Sequence, residues 1–185
     1  GLQVVKLVKL GFQPTDSQED QDIMNACRGD DDMFLDSLER SLNQPRNPNF
    51  EDENKDTPLC AAAHFGNLKC VRLLLEAGAN KDQGRTDNGA TPLAVAARNG
   101  HLEVVRLLVE SGADKDQGRT DGVTPLYLAA GLGHLEIVRC LVESGANKDQ
   151  GTTDRGLTPL CVAAKEKHLE VVQFLVESGA NKNQG

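Results

Sequence analysis

An all-α solenoid of stacked helix-turn-helix units is the fold that the sequence predicts, and three observations predict it. The tripeptide T-P-L recurs at Thr57, Thr91, Thr124 and Thr158, spaced by 34, 33 and 34 residues. Each copy is followed by small residues holding an alanine pair, then by an apolar stretch of helical period such as "HLEVVRLLVESG". Between units the chain restates one polar connector, "GANKDQGRTDNG", "GADKDQGRTDG" and "GANKDQGTTDRG", and it starts another copy, "GANKNQG", at its end. Self-similarity at such a period marks an array in which each unit buries its spare apolar face on the next.

The elements follow in chain order. Residues 1–12, "GLQVVKLVKLGF", admit two readings. They resemble the second helix of an earlier unit, one residue short before the glycine, and their β-branched content equally suits the closing strand of a preceding domain. Residues 13–56 read as a degenerate N-terminal capping unit. Ala26 and Gly29 match the spacing of Ala63 and Gly66, Met33, Phe34, Leu35, Leu38 and Leu42 form a second helix, and Lys55 stands where later connectors place Gly. Terminal units need a polar outer face. Residues 16–56 supply one, with thirteen Asp or Glu against four Lys or Arg.

Four units then run over 57–90, 91–123, 124–157 and 158–185. In each, the Thr hydroxyl caps orphan amides and Pro at the first helical position loses nothing by lacking an N–H. The alanine pairs (Ala62 and Ala63, Ala96 and Ala97, Ala129 and Ala130, Ala163 and Ala164) let helices approach closely. Gly66, Gly100 and Gly133 break the first helix, because a left-handed residue without Cβ carries no strain there. In the second helix Val104, Val105, Leu107 and Leu108 put apolar groups on two sides, so it must be covered twice. Ordering about thirty-three residues costs on the order of 50 kcal/mol, more than one helix pair offsets, so the units must stack. The last unit stops inside its connector with Val172 and Leu175 uncapped, and further units or another domain are expected beyond.

Composition narrows the function classes. The 185 residues are 38% apolar and 26% charged, with one Tyr and no Trp, a balance typical of folded soluble chains with an aliphatic core. The net charge of −8 lies in residues 16–56 and leaves no basic face for phosphate backbones, so nucleic-acid binding is not expected. No apolar stretch is long enough to span a bilayer, and membrane insertion is not expected. Five cysteines, an odd set without a C-x-x-C pair, favour a reducing compartment, the cytoplasm with the nucleus left open.

The period, the T-P-L opening, the alanine pair, the G-H-L-E-V-V start of helix two and the "LLxxGA" ending resemble the ankyrin repeat family across 57–185. That resemblance implies connectors folded as β-hairpin-like fingers and a concave face, built from finger tips and first helices, that grips a protein partner. The chain also departs from the family pattern. The His that usually follows T-P-L is replaced by Cys60, Ala94, Tyr127 and Cys161, removing the expected brace to the finger. Lys167 replaces the turn glycine of the other units, where a positive φ would cost it about 1 kcal/mol.

Candidate chemistry is sparse. Cys60 and His64 share a helix face and could pair as nucleophile and base or as half a metal site, but no second ligand pair stands at zinc spacing. His101, His134 and His168 recur in one register, which the resemblance assigns to the start of helix two. "GLGHLE" at 131–136 follows a helix and lacks the third glycine of a dinucleotide fingerprint. The Asp and Gly of "DQGRTDNG" do not follow the alternation of a calcium loop and suit tight turns instead. Cys70 and Cys140 align with core positions, while Cys27 and Cys161 have no assigned role. No catalytic, metal or cofactor site is expected.

Partner recognition remains, and it belongs where the units differ. After T-P-L these positions include His64 and Phe65, Arg98 and Asn99, Tyr127 and Leu132, and Lys165. At the finger tips they include Asn88, Asp121 and Arg155. By the resemblance both sets lie on the concave side. Phe65, Tyr127 and Leu132 are candidate apolar anchors, and Arg98 and Arg155 candidate partners for a carboxylate. The chain is expected to act as a monomeric, non-catalytic module binding a protein whose identity the sequence does not reveal. The close likeness of the fingers suggests an alternative, a spacer or targeting array within a larger protein, attached to an enzyme in one version.

Overall fold

A computed structural model describes residues 17–29 and 47–183. The readings of residues 1–12 and of the second helix over 33–42 lie outside the described residues. The N-terminal helix α1 (Ser17–Arg28) is followed by four helix pairs: α2 (Pro58–Phe65) with α3 (Leu68–Glu76), α4 (Pro92–Asn99) with α5 (Leu102–Glu110), α6 (Pro125–Gly131) with α7 (Leu135–Glu143), and α8 (Pro159–Lys165) with α9 (Leu169–Glu177). Helices α1, α2, α4, α6 and α8 pack side by side in one layer, and α3, α5, α7 and α9 form a second layer behind it. Among the described residues the array is all-α, without a strand.

The caps fall where the residue chemistry puts them. Thr57, Thr91, Thr124 and Thr158 accept from the amides of Cys60, Ala94, Tyr127 and Cys161 at 3.1, 3.2, 3.1 and 3.3 Å. These hydroxyls are buried, so each satisfies a donor that water cannot reach. The second helices all end the same way. In α3, Gly78 N–H donates to Leu75 and Ala79 N–H to Leu74, a Schellman pair that requires the left-handed φ of +82° at Gly78. The same pair closes α5, α7 and α9, with Ala79, Ala113, Ala146 and Ala180 folded back into the core.

Leu59, Leu93 and Leu126 of the first layer and Leu74, Leu108, Leu141 and Leu175 of the second fill the interlayer core. The alanine pairs are fully buried at 62–63, 96–97 and 129–130, where the next unit packs directly on them. At the fourth unit Ala163 is buried but Ala164 is exposed, because no further unit of the described residues covers it. For the same reason Leu169 is 76% exposed, whereas Leu68, Leu102 and Leu135 in its register are partly covered.

The turn within each unit couples it to its neighbour. Gly66, Gly100 and Gly133 take φ of +71°, +81° and +75° as expected. A second constraint acts at the same place: a Cβ on Gly66 would lie 2.5 Å from His101 Nδ1, and one on Gly133 2.5 Å from His168 Nδ1. The ring of the following unit lies on the glycine, and its other nitrogen reaches back to the preceding first helix. His101 Nε2 meets His64 O at 2.9 Å, His134 Nε2 meets Arg98 O at 3.2 Å, and His168 Nε2 meets Gly131 O at 3.0 Å. The recurring histidines occupy the N-cap positions of the second helices, yet make no capping bond there. Asn67 fills this position in α3 and does both tasks, accepting from Cys70 N at 3.1 Å and donating to Gly29 O at 2.6 Å. Lys167 adopts the left-handed turn with φ +64°. The fourth turn therefore keeps the shape of the others and carries the strain.

The connectors are cross-linked by a hydrogen-bond ladder. Within each, the side chains of Asn80, Asp114, Asn147 and Asn181 accept from amides two residues on, at 3.1, 3.0, 3.0 and 3.0 Å. Between units, Asn49, Asp82, Asp116 and Asp149 accept from the amides of Asn80, Asp114, Asn147 and Asn181 at 2.6, 2.8, 2.8 and 2.8 Å. Nearer the tips, Thr120 N–H donates to Asn88 O and Thr153 N–H to Asp121 O, both at 3.0 Å. The polar sequence recurs because each copy is both donor and acceptor to the next. Each finger closes with a hairpin-like bond, Arg85 N to Ala90 O, Arg119 N to Val123 O, and Thr152 N to Leu157 O. The one-residue shortening of the second finger is absorbed in its tip, where Gly122 N bonds back three residues to Arg119 O while Gly89 N bonds back four to Arg85 O.

Candidate functional site

Each first helix stops at a left-handed turn, and in α2 and α4 the two residues before that turn are exposed. In α2 these are His64 and Phe65, both exposed, Phe65 by 51%, with their rings edge-to-face at 4.8 Å. In α4 they are Arg98 and Asn99, also exposed. Asn99 Nδ2 donates to Val95 O at 3.0 Å and approaches His64 Nδ1 at 3.3 Å, tying the ends of α2 and α4 together. Cys60 lies elsewhere: buried, it directs its thiol to Gln83 O and Ala90 O, each at 3.8 Å. Burial pushes that thiol up to about 11. Cys60 and His64 thus engage different neighbours. The thiol makes weak contacts from α2 to both ends of the finger that follows it, at Gln83 and Ala90.

A groove of about 180 Å³ runs between these helix ends and the fingers. Its helix wall is formed by His64, Ala94, Val95, Arg98, Asn99 and Leu128, and its finger wall by Asp56, Arg85, Asn88, Ala90 and Arg119. His64, Asn88, Arg98 and Asn99, all expected from the sequence, come together here. Phe65 adjoins the groove through His64, and Asp121 pairs with Arg119 at 3.1 Å on the finger side. Tyr127, Leu132, Arg155 and Lys165 are not among the groove residues. Tyr127 is half-buried, and its hydroxyl is pushed up by burial first and then by the negative charges of Asp154, Glu166 and Asp121. Leu132 is 49% exposed at the end of α6. Arg155 and Lys165 pair with their own neighbours Asp154 and Glu166, each at 3.6 Å.

Three guanidinium groups face the groove, and they differ in how far they are satisfied. Arg85 is fully engaged: it pairs with Asp56, forks onto both oxygens of Asp87 at 3.0 Å, and donates to Asn54 O at 2.9 Å. The hydrogen bond to Asp87 in particular raises its proton affinity further and holds Asp87 below the usual carboxylate range. Arg119 uses one nitrogen on Asp121, while its buried Nε has no partner among the described residues. Arg98 pairs with no carboxylate among the described residues. Sequence reasoning missed Arg85 and Arg119 because they recur unchanged in two fingers, although their replacement by Thr152 in the third was a signal. Asp56 was missed too, in the column that also holds Ala90, Val123 and Leu157.

The family model for ankyrin repeats, three copies to a match, fits residues 23–119 and 112–185. The chain belongs to the ankyrin repeat family, whose members generally mediate protein–protein interaction. No curated protein matches it. Among the described residues no helix is long and apolar enough to cross a membrane.

Proposed function

We propose that the chain is a protein-binding module that holds its partner on the face formed by the first helices and the fingers. The observation that supports this most is the groove, where four side chains singled out because they vary between units line one concavity. Exposed Phe65 and Leu132 on the same layer and half-buried Tyr127 add the aromatic and aliphatic anchors on which interface energy concentrates. Residues 13–56 act as the N-terminal cap in this reading, with α1 packed on α2. The likeness of the fingers, which would suit a passive spacer, has its own cause in the ladder of interfinger hydrogen bonds, so it does not count against recognition.

The test is a comparative pull-down from lysate with the whole chain and with a Phe65→Ala, Arg98→Ala, Tyr127→Ala variant whose helical circular dichroism is unchanged. Preys held by the parent and lost from the variant are the expected result. An identical prey set on both proteins would overturn the proposal.

A further inference from the structure

The groove has hydrogen-bond donors that none of the described residues satisfies. Its resident carboxylate, Asp56, is taken up by Arg85. Asn88 uses its side-chain oxygen on Ala90 N at 2.9 Å and its carbonyl on Thr120, and its amide NH₂ has no partner among the described residues. Arg119 retains a buried, unpartnered Nε, and the exposed guanidinium of Arg98 carries no ion pair among the described residues. Besides His64 and Asn99, which approach each other at the rim, the lining is completed by Ala90, Ala94, Val95 and Leu128, an apolar floor that accepts aliphatic carbon and lowers the local dielectric. A ligand complementary to this arrangement brings acceptor oxygens on a short hydrocarbon stem.

On the reading that this face binds a partner, we propose that the groove takes an acidic peptide segment, seating one Glu or Asp carboxylate between Arg98 on the helix wall and Arg119 on the finger wall. A guanidinium and a carboxylate match as planar, paired hydrogen-bonding groups, and Arg98 can offer such a fork without breaking an existing pair. The site is confined to the first half of the array. Toward α6 it is bounded by the Arg119–Asp121 pair at 3.1 Å, whose carboxylate already occupies one Arg119 nitrogen.

Two heptapeptide pools serve as the probe, one with a single central Glu and one with Gln in its place, both flanked by mixed Ala, Ser and Leu. Each is titrated into the ¹⁵N-labelled whole chain while the arginine Nε–H signals are followed. The Glu pool should shift the Arg98 and Arg119 signals and the Gln pool should not. Arg98→Gln should weaken binding by roughly tenfold, the range of a charge-assisted hydrogen bond. The same charge change on the back of the array, Arg72→Gln, should leave it unaltered, since Arg72 is exposed on α3 away from the groove. Equal binding of the two pools, or insensitivity to Arg98→Gln, would overturn the carboxylate site. If that happened while preys were still lost from a Phe65→Ala, Tyr127→Ala double variant that keeps Arg98, the binding face would stand and only its proposed ligand chemistry would fall.

Discussion

Substituting alanine for the turn glycines should separate two costs that the structure places at one position. Gly66, Gly100, Gly133 and Gly145 all have positive φ, from +71° to +89°. An L-residue there costs about 1–2 kcal/mol, offset by roughly 0.5–1 kcal/mol from the stiffer unfolded chain. At Gly145 nothing lies within 4 Å of a new Cβ, so Gly145→Ala should cost the backbone term alone, about 1 kcal/mol. At Gly66 the new Cβ would lie 2.5 Å from His101 Nδ1 and 2.9 Å from Cγ. The ring must then swing away, giving up its bond to His64 O for about another 1 kcal/mol. Gly66→Ala should therefore lose about 2 kcal/mol, and Gly100→Ala, with His134 at 3.1 Å, an intermediate amount. Urea unfolding followed at 222 nm measures the series, compared among variants of equal denaturant slope. The decisive arm is a cycle with His101→Ala: once the ring is gone, Gly66→Ala should cost no more than Gly145→Ala. Equal costs for the two glycines in the parent chain, or a Gly66→Ala cost unchanged without His101, would refute the coupling of turn to neighbour.

Two further predictions concern the connectors. Asp82→Ala removes the acceptor of the Asp114 amide, so that amide should exchange with deuterium faster while the Asp116 amide, held within its own connector, keeps its protection. Asp82→Asn keeps the acceptor oxygen and should restore the Asp114 amide. Asp52 supplies a pH-dependent contribution. Burial pushes its carboxyl up, but the amides of Asp56 and Asn54, the Asn54 side chain and Arg28 together outweigh this and hold it below the usual range. A group depressed in the folded state stabilises fully above its unfolded value near 3.9 and loses that contribution as pH falls through the folded value. The melting-temperature gap between the parent and Asp52→Asn should thus be constant from pH 7 to about pH 5 and close below pH 4. A gap that persisted or widened in acid would contradict the assigned role.

The features legible in the sequence are those whose cause and effect lie within one turn of helix. Thr57 and the amide of Cys60 are three residues apart, so the motif that makes the cap is the motif that is read. The features that escaped join residues one unit apart, such as His101 to His64 or Asp82 to Asp114, and a period alone cannot show which atoms meet. His101 illustrates the difference. Its position at the start of α5 suggests a local cap, but the ring is drawn away because the preceding helix offers an unsatisfied carbonyl and a glycine on which to lie. The same reasoning bears on the groove proposed as the binding site. A search confined to varying positions treats constancy as the mark of scaffold, yet Arg85 and Arg119 are alike while one is saturated by Asp56 and Asp87 and the other is left with an unpartnered nitrogen. Their availability is decided by the neighbouring finger: Asp56 precedes the first full unit, and its counterpart before the next, Ala90, carries no charge. Which donors an arginine of this array leaves open is therefore set by pairs of adjacent units, and the sequence of a single unit cannot reveal it.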